Sequence, residues 1–190
     1  MRTMAEKLPN DRDQQLLAAV ARGERRALEE LYLGYHRRLS RFLSRFTSRY
    51  ETIEEIINDT FMVVWHHAAD FRGASRVSTW IIGIAYRTAL KALRRDDPRK
   101  NSDSIGFSEP STDPTRDTEL NDWVSQGLAR LPLEQRMVME LAYHQGHSIE
   151  EIAAITEAPV GTVKARMFHA REKLRQFLPA LAGANVPSQD

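Results

Sequence analysis

Cysteine is absent from all 190 residues, which removes disulfides, thiolate zinc sites and cysteine nucleophiles together and suits a reducing compartment. Long apolar runs are missing too. No stretch approaches the roughly 20 residues that a membrane span requires, and the polar segment Met1 to Asp13 lacks the apolar centre of a signal peptide. The expectation is a cytoplasmic chain with no direct membrane insertion. Neither sign of charge dominates: 27 Lys and Arg stand against 26 Asp and Glu, a formal net charge of +1. A protein that grips nucleic acid unaided usually carries a clear basic surplus. Either such binding is absent, or the charges are segregated along the chain. Phosphate-binding glycine loops and nucleophile elbows are lacking as well, so no enzyme is expected.

What is present is helical periodicity. Leu16, Leu17 and Val20 share one face of a first helix that Gly23 stops. Leu28, Leu31, Tyr32, Tyr35, Leu39, Phe42, Leu43 and Phe46 follow i, i+3, i+4 spacing along a second, with Arg37, Arg38, Arg41 and Arg45 on its other face. Ile53, Ile56, Ile57, Thr60, Phe61 and Val64 mark a third, and a fourth runs from Thr79 to Arg95 with Ser78 as its N-cap. The pattern collapses between Asp96 and Asp117, where Pro98, Pro110 and Pro114 sit among Ser, Thr, Asp and Gly, and Ile105 and Phe107 have no periodic partners. That length exceeds the ~15 residues of an ordinary loop, which predicts a linker between two domains. Beyond it, Leu120, Trp123, Val124, Leu128 and Leu131 form one helix ended by Pro132, and Val138, Leu141 and Ala142 another that stops near Gly146. No segment alternates as strands do. The expected fold is all-α, with domains at 10–96 and 119–179 joined by a flexible linker at 97–118.

The end of the chain carries the clearest motif. Ser148 and Glu151 have capping-box spacing ahead of Ile149, Ile152, Ala153 and Ile155. Glu157, Ala158 and Pro159 break that helix, and Gly161 and Thr162 open another whose inner side is Val163, Met167, Ala170 and Leu174. Thr162, Ala165, Arg166, His169 and Lys173 lie largely opposite, flanked by Lys164, Arg171 and Arg175. Two short helices across a tight turn, the second small-sided and basic near its start, predict a helix-turn-helix. Thr162 and Ala165 allow close approach to a major groove, Arg166 can pair with guanine, and Lys164, Arg171 and Lys173 suit phosphates. The motif alone also fits a stand-alone dimeric transcriptional regulator, a LuxR-type response regulator, or an adaptor whose basic face is merely solvated. A response regulator would begin with alternating strands and helices, and residues 13–95 do not.

The stretches Leu131-Pro132-Leu133-Glu134-Gln135-Arg136, Ser148-Ile149-Glu150-Glu151-Ile152-Ala153 and Gly161-Thr162-Val163-Lys164-Ala165-Arg166 resemble the C-terminal domain of extracytoplasmic-function sigma factors. The resemblance implies reading of the promoter element at minus thirty-five through Thr162, Lys164, Ala165, Arg166, His169, Arg171 and Lys173. Three N-terminal features agree with it. The run Thr52 to Phe61 resembles the family segment that docks on the clamp coiled coil of the largest subunit of RNA polymerase, implying roles for Glu54, Asn58 and Phe61. Along the same helix Glu51, Glu55 and Asp59 recur every four residues as an acidic ridge. Phe71, Arg72, Gly73, Ala74, Ser75 and Arg76 resemble the loop that captures a base of the melted minus-ten element, with Trp80 assigned to core packing. Arg87, Lys91, Arg94 and Arg95 form a basic stripe suited to DNA backbone. The chain departs from the family at Tyr86-Arg87, where Arg then Asn is common, so base preference at that point does not transfer.

The implied partners are RNA polymerase core, promoter DNA and an anti-sigma factor, membrane-anchored or not, that holds the protein inactive until a signal arrives. No cofactor is implied. His36, His66, His67, His144, His147 and His169 offer no clear third ligand, so no metal is expected.

Overall fold

The computed structural model describes residues 4–95 and 125–184, with side chains over 11–95 and 125–177. The predicted linker at 97–118, with Pro98, Ile105, Phe107, Pro110 and Pro114, lies outside the described residues, as do Leu120, Trp123 and Val124. Every regular element among the described residues is helical. The chain divides into two compact units, Met1–Gly106 with Ala153–Ala158, and Phe107–Ile152 with Pro159–Asp190.

In the first unit α1 (Met4–Ala21), α2 (Arg25–Leu43), α3 (Tyr50–His67) and α4 (Val77–Arg95) pack around a shared apolar core. Leu17 and Val20 of α1, Leu31 and Leu39 of α2, Ile56 and Ile57 of α3, and Ile81 and Ala89 of α4 are all within it. The i, i+3, i+4 recurrence of these residues puts them on one side of each helix, and water is excluded when those sides meet. Gly23 ends α1 as expected. Its φ of +86° admits glycine without strain, and the Gly23 and Glu24 amides return to the Val20 and Ala19 carbonyls at 2.8 and 3.1 Å.

Two helix boundaries differ from expectation. α2 stops at Leu43, so Phe46 lies beyond it and folds back edge-on to Phe42, ring centroids 5.1 Å apart. α4 starts at Val77, because fully buried Val77 draws the backbone into the core two residues early. Ser78 is therefore inside the first turn and is not the N-cap. A 3-10 turn, Ala68–Asp70, joins α3 to the segment ahead of α4.

The second unit contains the described turn of α5 at 125–129, α6 (Leu133–Tyr143) and α8 (Val160–Ala184), and α7 (Ile149–Thr156) lies between the last two in the chain. α6 packs on α8 through Met137, Val138 and Leu141 on one side and Val163, Met167 and Ala170 on the other. The capping box at the start of α7 is formed. Glu151 N–H donates to Ser148 Oγ at 3.2 Å, and Ser148 N–H donates to Glu151 Oε2 at 3.0 Å. No described helix is long and apolar enough to cross a membrane.

Candidate DNA and polymerase interfaces

α3 carries four of its six candidate docking residues on the side opposite the core. Glu51, Glu55, Asn58 and Asp59 are exposed, so the four-residue spacing of the acids produces the expected outward ridge. Glu55 approaches Arg95 of α4 at 4.0 Å. Glu54 is half-buried instead, because His36 Nε2 of α2 sits between its two oxygens at 3.0 and 3.2 Å. Tyr32 donates to Asn58 Oδ1 at 3.3 Å and rests against the rings of His36 and Phe61. Desolvation, and then the nearby Glu54 carboxylate, push the Tyr32 phenol up from its ordinary range. Phe61 is a correction. It is 3% exposed and meets Tyr32 in a T-shaped contact at 5.1 Å, so it belongs to the core and cannot touch a partner. Its i+4 place after Ile57 on the apolar stripe carried that signal. Sequence reasoning missed Met62 and Val63, which are exposed at the end of the acidic row. Met62 follows Asn58 by four residues and Asp59 by three, and that spacing was legible.

The segment from Phe71 to Arg76 leaves the 3-10 turn and returns to α4. Arg72, Gly73 and Ala74 are exposed, while Ser75 and Arg76 are half-buried. Gly73 has a φ of +72° with nothing within 4 Å of an added Cβ. The turn thus needs glycine for backbone shape and leaves open space around it. Phe71 packs on Trp80, centroids 5.4 Å apart at 55°. Trp80 is half-buried against Phe71 and does not lie in the core. On α4, Arg87, Lys91, Arg94 and Arg95 are exposed as the spacing predicts, and Tyr86 is buried.

In the helix-turn-helix, the chain reverses between α7 and α8 with Glu157 at a φ of +51°. The Ala158 amide returns to the Ala153 carbonyl, and Thr162 and Val163 both donate to the Pro159 carbonyl at 2.8 and 3.1 Å. Val163, Met167 and Ala170 face inward, leaving Thr162, Lys164, Ala165 and His169 exposed in one band. Lys173 is half-buried.

Arg166 is the second correction. Its guanidinium is held by Glu134 of α6, and its side chain keeps only 25% exposure, so it braces the two helices and does not stand free to read guanine. The reach of a long side chain across a helix pair is invisible to helical spacing. Arg171 is exposed but oriented: its Nε and one Nη donate to the Tyr143 hydroxyl at 3.2 and 2.9 Å. Arg175 pairs with Glu172. Phe168, which sequence reasoning passed over, is exposed beside His169, ring centroids 5.6 Å apart.

Among the described residues His67 lies 2.7 Å from Asp70 and His147 3.4 Å from Glu151. His144 Nδ1 lies 2.8 Å from buried Glu140 Oε2, close enough for an ion pair but not aligned as a hydrogen bond. Among the described residues no group of three His, Cys, Asp or Glu could hold a metal ion.

Comparison with known proteins matches residues 31–99 to Sigma-70 region 2 and residues 121–174 to Sigma-70 region 4. RNA polymerase sigma-H factor of Pseudomonas aeruginosa is 31% identical over 189 residues, spanning 92% of this chain and 97% of that one. ECF RNA polymerase sigma factor SigM of Mycobacterium tuberculosis is 34% identical, spanning 92% and 89%. Two solved structures share the fold. CnrH in complex with the cytosolic domain of CnrY has a TM-score of 0.64 at 25% identity, covering 92% of this chain and 99% of CnrH. The sigma factor RpoE in complex with the anti-sigma factor NepR, from Bartonella quintana, has a TM-score of 0.60 at 26% identity, covering 80% and 96%. With two sigma regions in order and relatives that run its length, the chain belongs to the family of extracytoplasmic-function RNA polymerase sigma factors.

Proposed function

We propose that this sigma factor binds RNA polymerase core through the exposed row Glu51, Glu55, Asn58, Asp59 and Met62 of α3, and directs the enzyme to promoters with both domains. The proposed division is docking, minus-ten recognition and melting by 10–96, a connection over 97–118, and minus-thirty-five recognition by 119–179. The observation that carries the proposal is the pairing of two exposed surfaces of opposite charge in one region, the acidic row on α3 and the basic stripe on α4. Near-zero net charge thereby becomes two complementary surfaces, one for a basic protein partner and one for phosphates.

On duplex DNA, Thr162, Lys164, Ala165 and His169 face the groove, with Phe168 against base or methyl edges and Arg171 on the backbone. At the minus-ten element Arg87 and Lys91 hold phosphates. An extruded base then enters the loop formed by Phe71, Arg72, Gly73, Ala74, Ser75 and Arg76. Extrusion costs a few kcal/mol, which stacking and edge contacts of about 1–3 kcal/mol per base offset. The polymerase performs the chemistry and this chain supplies placement. It acts in the cytoplasm, where an anti-sigma factor, membrane-anchored or not, covers these surfaces until a signal arrives.

Run-off transcription with purified core tests the proposal. Specific transcripts from a genomic promoter library are expected with the chain present, and docking should weaken as salt rises. Tight palindromic binding by the chain alone, with no transcripts on core, would instead support a stand-alone dimeric regulator. Nothing in the relatives of either half favours that outcome.

A further inference from the structure

We propose that Tyr143, at the end of α6, is a backbone-contacting residue of the minus-thirty-five surface: its hydroxyl accepts from Arg171 of α8 and donates its own proton to a DNA phosphate. This inference rests on the reading of α8 as the duplex-binding helix.

Arg171 belongs to a row. Lys164, Phe168, Arg171 and Arg175 follow one another at i, i+4, i+7 and i+11 along α8, and all four are exposed. The row borders the band of Thr162, Ala165 and His169, where cations suit the phosphates that flank base edges. Arg175 is drawn aside to Glu172. Arg171 is instead met by a side chain from a second helix.

Tyr143 is the last residue of α6 and is 61% exposed. Arg171 Nε and Nη2 donate to its hydroxyl oxygen at 3.2 and 2.9 Å. Those two N–H groups share one edge of the planar guanidinium, so the contact fixes the plane's rotation as well as its position. The two lone pairs of the hydroxyl are thereby taken. What the pair still offers is the Tyr143 O–H and three further N–H groups of Arg171, all of them donors. A site with only donors needs an acceptor, and the guanidinium charge selects an anion. Phosphate oxygens are both. A hydroxyl that already accepts from a cation is also polarised into a stronger donor.

A bracing role accounts for less. α6 and α8 are already joined by Met137, Val138 and Leu141 against Val163, Met167 and Ala170, and by Glu134 on Arg166. One exposed hydrogen bond adds little to that, because water competes for both partners. A carboxylate at position 143 would grip Arg171 more firmly, but it would cancel the charge and repel phosphate. The neutral hydroxyl orients Arg171 and leaves its charge available.

The test is Tyr143→Phe in the full chain, reconstituted with polymerase core and titrated with duplex promoter DNA over a range of salt. Promoter affinity should fall about tenfold, the effect of one hydrogen bond to a charged acceptor, at unchanged Tm. The salt slope should stay as it was, because a hydroxyl releases no counterion, whereas Arg171→Ala should lower it by about 1. Single phosphates near the minus-thirty-five element are then replaced by neutral methylphosphonates. One position should weaken the native chain and leave Tyr143→Phe unaffected. Native affinity in Tyr143→Phe would overturn the proposal, as would equal sensitivity of both chains at every phosphate. A slope lowered as far as in Arg171→Ala would also overturn it, since Tyr143 would then act only by supporting Arg171. So would an affinity loss that tracks a lowered Tm, which marks a structural brace. If Lys164→Ala and Arg171→Ala both bind promoters natively, the duplex-binding reading of α8 fails. If they are defective while Tyr143→Phe is not, only the Tyr143 contact fails.

Discussion

The two surfaces assigned to DNA are built on opposite principles. The loop from Phe71 to Arg76 exposes backbone and small side chains around Gly73, and its shape is set by anchors at its ends. The band on α8 exposes side chains at fixed helical register, and its arginines are oriented from within the unit, Arg166 by Glu134 and Arg171 by Tyr143. An extruded base needs a shaped space, which a loop supplies. A duplex needs contacts in register, which a helix supplies. The comparison teaches that charge alone locates neither surface, since the most basic-looking residue of α8 is an internal brace.

The largest expected effect tests the docking side of the loop-bearing unit. Phe61→Ala should destabilise it by about 3–5 kcal/mol, seen as a lower Tm in thermal denaturation, and lose docking only along with folding. By contrast, Asp59→Ala and Met62→Ala should weaken core binding at unchanged Tm. Next, Arg166→Ala should cost about 1–3 kcal/mol of stability through loss of its charge-assisted pair with Glu134, with a double-mutant cycle against Glu134→Ala recovering coupling of that order. Promoter base preference should be unchanged, and altered preference at a guanine would restore the base-reading role.

Gly73→Val should then cost about 1–3 kcal/mol of backbone strain. That strain should appear as slower promoter opening, with Gly73→Asn milder because asparagine tolerates positive φ. Smallest, Lys164→Ala should weaken promoter binding and lower the salt slope by about 1, as one lost phosphate contact requires. An unchanged slope would place Lys164 off the backbone.

Much of this was readable from residue order. The apolar stripes of α2 and α3, the Ser148–Glu151 cap and the Gly23 stop follow from spacing and local backbone preference, and the acids of α3 emerged on the outer side for the same reason. The misassignments share a cause. Phe61 was drawn into the docking set by the motif around it, against its own place on the apolar stripe. Trp80, expected in the core, is half-buried against Phe71. Ser78 was named a cap from type and position, while buried Val77 moved the helix start past it.

Sequence by itself determined the all-α class, the helix-turn-helix and the family, because periodicity, capping and motif order are properties of neighbours along the chain. Only the tertiary structure decided which cations remain outward, that Glu134 holds Arg166, that Tyr143 orients Arg171, and that Tyr35 donates to Asp13. Those pairs lie between 22 and 32 residues apart in sequence order. They depend on where packing brings two helices together, and a one-dimensional spacing rule carries no information about that distance.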